Sequence, residues 1–267
     1  YWLKDKGTLN LAEATTFEAG ANAWRSHASW PPKAEIASPR RLYFQANGKM
    51  GYDAPTDTGR TAFDAYVSDP NKPVPYRQRP IVASLGGAGS TWSTWLADDQ
   101  RFVQDRPDVT AWESPVLTED VVIAGDIAAH LFAATTGSDA DFVVKLIDVY
   151  PEKDAKLPGY QFMVANDVLR GRFRKSFENP TAITPNKTEE FKVDLHTQNY
   201  RFLKGHKIRV QVQSSWFPLI DRNPQTFVPN IFKAKESDFR TATQRVYRTK
   251  NAASFIELPI VRSPVVP

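Results

Sequence analysis

Cysteine is absent from all 267 residues, which removes disulfides, thiolate zinc sites and cysteine nucleophiles together. The compartment stays undecided by that absence, because export does not require disulfides. No stretch reaches the roughly 18 apolar residues of a membrane-spanning helix and no signal peptide opens the chain, so no membrane partner is expected. Nor is there a run of five or more Lys or Arg: the 34 basic residues behind the net charge of +4 are spread along the chain. Nucleic acid is therefore not an expected partner either.

Catalytic motifs are scarce as well. A serine hydrolase holds its nucleophile on a sharp turn, with Gly-x-Ser-x-Gly as the usual elbow. GAGST (87–91) comes nearest, lacks the last glycine and reads as a polar turn. The four histidines, His27, His130, His196 and His206, have no histidine partner at ligand spacing and read as surface or hydrogen-bonded structural residues. Asp98-Asp99, Glu119-Asp120 and Glu189-Glu190 are adjacent pairs, which point to opposite faces of a strand and do not make an acid–base dyad. There is no phosphate-binding glycine loop. No metal or cofactor is called for.

What is plentiful is proline, at 20 residues, and tryptophan, at seven. That balance suits short strands and shaped turns better than a helical bundle. YWLKDKGTLN (1–10) reads as the tail of a helix stopped near Gly7, whose start is expected upstream, and residues 14–32 as one short strand followed by a loop. Strands are predicted at RLYFQA (41–46), AFDAYVSDP (62–70), VVIAG (121–125), AAHLFAAT (128–135) and DFVVKLIDVYP (141–151). Further ones are predicted at YQFMVA (160–165), LRGRFRKS (169–176), FKVDL (191–195), KIRVQVQSSW (207–216), TQRVYRT (243–249) and SFIELPI (254–260). In KIRVQVQ the alternation is nearly strict, with Ile208, Val210 and Val212 on one face and Arg209, Gln211 and Gln213 on the other. Two packed antiparallel sheets follow, an all-β sandwich of jelly-roll type.

Four segments then stand out as a set: AYVSDPNKPVPY (65–76), DDQRFVQDRPDV (98–109), DFVVKLIDVYP (141–151) and FLKGHKIRVQVQSSWFPLIDRNPQT (202–226). In this order they resemble the carboxy-terminal part of the cocaine esterase and α-amino acid ester hydrolase family, relatives of the X-Pro dipeptidyl peptidases. The resemblance covers nearly the whole chain. It implies an α/β-hydrolase domain that carries the catalytic triad, followed by a galactose-binding-like jelly roll. Residues 1–35 would then be the tail of the α/β-hydrolase domain and residues 36–267 the jelly roll. No histidine here matches the family's catalytic position, so no catalytic residue is carried over.

In such enzymes the loop before the DQR-like segment reaches back to the active site and adds apolar side chains to the acyl pocket. The resemblance therefore implies Trp92, Trp95 and Leu96, within GSTWSTWLADDQR (89–101), as substrate-binding residues. An aromatic wall suits a phenyl-bearing acyl group. The bland counterpart is that the tryptophans seal the seam between the two domains. Asp99, Gln100, Arg101 and DRNP (221–224) read as bracing networks, and Trp216 and Phe217 as core or interface. The implied partners are the α/β-hydrolase domain of the same protein and a small-molecule ester or amide, with homo-oligomer contacts a further option. A periplasmic or secreted setting is implied, with a cytoplasmic one left open. The alternative is a free-standing β-sandwich binding module, for example for carbohydrate, which rests on fold analogy alone.

Overall fold

The computed structural model describes residues 2–32, 39–80 and 92–261, the side chains of Trp92 and Ser93 excepted. Fourteen strands are described. They begin with β1 (Ala14–Glu18), β2 (Ala23–His27), β3 (Arg40–Phe44), β4 (Met50–Gly51), β5 (Phe63–Ser68), β6 (Val109–Glu113) and β7 (Val121–Thr135). They continue with β8 (Asp141–Val149), β9 (Gln161–Arg170), β10 (Glu189–Phe202), β11 (Lys207–Gln213), β12 (Ala242–Thr249), β13 (Ala252–Ala253) and β14 (Phe255–Leu258). The longest helical element among the described residues is a six-residue 3-10 turn, Trp92–Ala97.

These strands form a hairpin, β1–β2, and two larger sheets. The eight-stranded sheet has β7 as its hub. β10 pairs with it along nearly its whole length on one edge, while β14 and β12 share the other, followed by β3 and β4 and by β5 and β13. The four-stranded sheet runs β6–β11–β8–β9, with every pairing antiparallel. The two sheets close over one apolar core in which Phe44, Trp112, Phe142, Leu146, Phe191 and Val210 are fully buried. Trp112 stacks on Phe44 at 4.2 Å with an interplanar angle of 10°, and its indole N–H donates to Asp64 Oδ2 at 3.0 Å. The indole is thus packed and satisfied at once. This is the jelly-roll sandwich that the alternating strands predict.

Several local expectations differ from what is observed. VVIAG and AAHLFAAT are one continuous strand, β7. The gap left at Asp126 and Ile127 is strand too, and the irregularity there is a bulge in the partner, where β10 shifts register between Asp194 and Thr197 beside Gly125 with its φ of 139°. LRGRFRKS is strand only to Arg170. The chain then turns at Gly171–Phe173, where a Cβ on Gly171 would lie 2.6 Å from the Ala140 carbonyl oxygen. Residues 2–4 form a turn. Leu3 and Leu11 stand exposed there. AWRSH, expected as loop, pairs with β1 residue for residue. The hairpin is fastened to β10 through Ala19, whose N–H donates to Asn199 O at 3.1 Å and whose carbonyl accepts from Arg201 N at 2.8 Å. The boundary expected at residues 35 and 36 lies outside the described residues.

Candidate functional site

The alternation along β11 produces the site. Its odd face carries Arg209, Gln211 and Gln213, and the sequence leaves that face looking solvated. Instead Gln211 and Gln213 are buried, because a second layer without any strand covers this side of the four-stranded sheet. The layer consists of two consecutive 3-10 turns, Trp92–Ala97 and Gln100–Val103, the segment around Val74 and Tyr76, and the loop after β11. Tyr76, Val143, Met163 and Trp216 form a second small core under it, with Trp95 packed against them.

Trp95 is the hinge of this arrangement. Its ring meets Trp216 edge-on at 5.7 Å and Tyr76 at 5.9 Å, with interplanar angles of 67° and 68°. It is half-buried, while its neighbour Leu96 points outward with 48 % of its surface exposed. The backbone of Trp92 opens the same turn, and its side chain lies outside the described residues. So does the serine turn GAGST (87–91). Beside the layer a cleft of about 450 Å³ opens between residues 77–80 and Asp98, Asp99 and Phe102.

Beneath the aromatic rings lies Lys145, which the sequence reading missed. It sits at the centre of β8, in cross-strand register with Gln211 of β11 and Asn166 of β9. It is 0 % exposed. Its ammonium donates to Gln100 Oε1 at 2.8 Å and lies 4.5 Å from the centroid of the Trp216 ring. Among the described residues no carboxylate pairs with it, and burial pushes it down to about 7. The available signal was the lysine inside an apolar run, Val-Val-Lys-Leu-Ile.

The DQR segment forms the bracing network expected of it. Asp99 accepts from the Arg101 backbone at 3.1 Å and from Arg101 Nε at 2.7 Å, and also receives the Gln161 N–H at 3.2 Å. DRNP does the same at the start of β8: Asp221 pairs with Arg170, and Asn223 donates to Asp141 Oδ1 at 2.8 Å. Next to it the buried Arg172 and Asp139 form an ion pair at 2.8 Å. Asp141 is wholly enclosed. Burial raises it to about 7, although Arg170 and Asn223 favour its charged form.

The histidines are each hydrogen-bonded. His130 meets Glu190 at 2.6 Å and His196 meets Asp167 at 2.6 Å. His206 lies 2.8 Å from Asp148, whose other oxygen accepts from the Tyr200 hydroxyl at 2.8 Å. His27 pairs with the Thr16 hydroxyl at 3.1 Å. Among the described residues no serine or threonine hydroxyl joins a histidine–carboxylate pair, and no three metal-ligating side chains converge. No helix of the described residues is long and apolar enough to cross a membrane.

Fold and covering layer together define a jelly-roll β-sandwich with a loop-built aromatic face. The particular family follows from comparison: residues 2–257 match the model of the X-Pro dipeptidyl-peptidase C-terminal non-catalytic domain, and the chain belongs to that family. Among curated proteins it is 31 % identical to the cocaine esterase of Rhodococcus sp. (strain MB1 Bresler), over 92 % of this chain and 41 % of the relative. Among solved structures it is similar to an aminopeptidase from the marine sediment archaeon Thaumarchaeota archaeon. That match has 48 % identity and a TM-score of 0.91, and covers 98 % of this chain and 42 % of the other. An α-amino acid ester hydrolase matches at 44 % identity and a TM-score of 0.90, over 97 % and 42 %. The chain thus spans about two-fifths of the length of the relatives it matches.

Proposed function

We propose that this chain is the carboxy-terminal jelly-roll part of a serine ester or amide hydrolase, packing on the α/β-hydrolase domain of the same protein and lending Trp92, Trp95 and Leu96 to its acyl pocket. In this reading residues 1–35 belong to the catalytic domain, and the substrate is a small ester or amide with an apolar acyl group. The observation that carries it is the state of the segment 92–97. Trp95 is anchored from below by Trp216 and Tyr76 yet is only half-buried, and Leu96 points outward beside it. A wall of a pocket needs both properties, rigid support and an open apolar side. The names of the relatives, an esterase, an amino acid ester hydrolase and an aminopeptidase, agree with hydrolysis of a small ester or amide. A free-standing carbohydrate module gains no support from this company.

The test is Trp95→Ala in the full-length enzyme. Losing an aromatic contact worth about 1–2 kcal/mol should lower kcat/KM for phenyl-bearing acyl donors roughly tenfold, mainly through KM. Donors with a small acyl group should change less than about threefold. Equal losses for both would assign Trp95 to the seam between domains instead.

A further inference from the structure

Resting on that reading of the acyl wall, we propose that Lys145 is the positioning residue for Trp95 and thereby a determinant of acyl specificity. On β8 and β9 the outer face is apolar to either side of Lys145, through Val143 and Val168 and through Ile147 and Met163, while β11 adds Gln213 and Arg209 to the same rows. A lysine between them is costly to bury unless its head group is satisfied. Both groups that satisfy it, Gln100 Oε1 and the Trp216 ring, belong to the covering layer and neither to the sheet. Lys145 therefore spans the two layers, as no apolar residue in its place could do with the same directionality.

Two independent routes run from its ammonium to Trp95. The first passes through rings: Lys145 holds the Trp216 face at 4.5 Å, and Trp216 meets Trp95 at 5.7 Å. The second passes through hydrogen bonds. Lys145 donates to Gln100, whose Nε2 donates to the Asp98 carbonyl at 2.7 Å, and the Asp98 N–H closes onto the Trp95 carbonyl at 3.2 Å. One route fixes the indole and the other the backbone that bears it. Gln211, cross-strand from Lys145, commits its Nε2 to Gln213 Oε1 at 2.8 Å, so it offers Gln100 Oε1 no donor in place of the Lys145 ammonium.

The experiment uses the full-length enzyme with Lys145→Met, which keeps the length of the side chain without its charge, and Gln100→Leu, which removes the other end of the bond. Two readouts are taken: the ratio of kcat/KM for a phenyl-bearing over a small acyl donor, and the fluorine resonance of 5-fluorotryptophan at position 95, assigned with Trp95→Phe. Gln100→Leu, which breaks the hydrogen-bonded route alone, should lower the ratio about fivefold through KM, Lys145→Met, which breaks both routes, should lower it at least as much, and each should move or broaden the resonance. The double variant should do little more than Lys145→Met alone, because the lysine change already severs both routes. An unchanged resonance and ratio in both variants, with Trp95→Ala still lowering the ratio, overturns the role of Lys145 and leaves the acyl wall standing. A displaced resonance with a ratio that neither Lys145→Met nor Trp95→Ala alters keeps Lys145 as the anchor but overturns its part in specificity, together with the acyl-wall reading.

Discussion

Replacing Asp141 with asparagine should change how the stability of this domain depends on pH. The carboxyl is fully enclosed at the start of β8, and burial raises it from an ordinary 3.8 to about 7 against the opposing pull of Arg170 and Asn223. Folding therefore makes this group hold a proton that the unfolded chain releases. Its contribution to stability is complete below about pH 4, falls by roughly 1.4 kcal/mol per pH unit, and is gone above about pH 7. The whole span amounts to about 4 kcal/mol. Asparagine keeps the shape and an oxygen to accept from Asn223, and does not titrate. Unfolding in urea, followed by tryptophan fluorescence at intervals between pH 4.5 and pH 8, gives the free energy of both proteins. The variant minus wild-type difference should climb by about 3–4 kcal/mol across that range. The difference matters more than either curve, because other carboxylates titrate in the opposite direction. Burial alone would raise Glu18, Glu113 and Glu189, yet their Arg and Lys partners hold them low. Parallel curves for the two proteins would refute the argument that Asp141 is buried at an energetic cost.

Arg172→Ala should destabilise by about 3–5 kcal/mol in the same assay, since it strands the buried Asp139 carboxylate; a loss under about 1 kcal/mol would mean that water reaches the pair. Gly20→Ala should loosen the β1–β2 hairpin. The residue has a φ of 86° and its new Cβ would fall 2.1 Å from the Arg201 carbonyl oxygen. Limited proteolysis should then cut within residues 14–27 while the sandwich resists, at a stability loss of about 1–3 kcal/mol.

The sandwich was legible wherever one strand face was apolar and the other polar. β11 announces itself by that rule, whereas β8 is read from its apolar run and is buried on both faces. Where pattern failed, a tertiary cause can be named. β7 was split in two at Asp126 and Ile127, where one extra residue of β10 makes a bulge rather than a break. LRGRFRKS mimicked a strand because its arginines alternate. In the folded chain they leave the sheet to reach Asp139, Glu189 and the carbonyls of Thr181 and Ala182. β6 was missed because VTAWE is short and follows a proline-bounded turn, so its evidence lies in its partner β11. For the site, Trp95 and Leu96 were reached through family likeness. Lys145 was missed, since a charged residue at a strand centre normally marks a solvated face; its one local sign is the apolar run around it, Val-Val-Lys-Leu-Ile.

That second layer has a consequence for motion. It lies outside the ladders of the main sheets, and side chains rather than a ladder tie its two 3-10 turns to β8 and β9: Lys145 to Gln100, and Gln161 to Asp99 and Gln104. Such a unit can detach while the ladders beneath stay intact. The amides of residues 92–104 should then exchange with solvent deuterium long before those of β8 and β11, at a rate set by local opening. The rings of Tyr76, Trp95 and Trp216, packed on one another, would then open and close as one unit above a sandwich whose ladders stay closed.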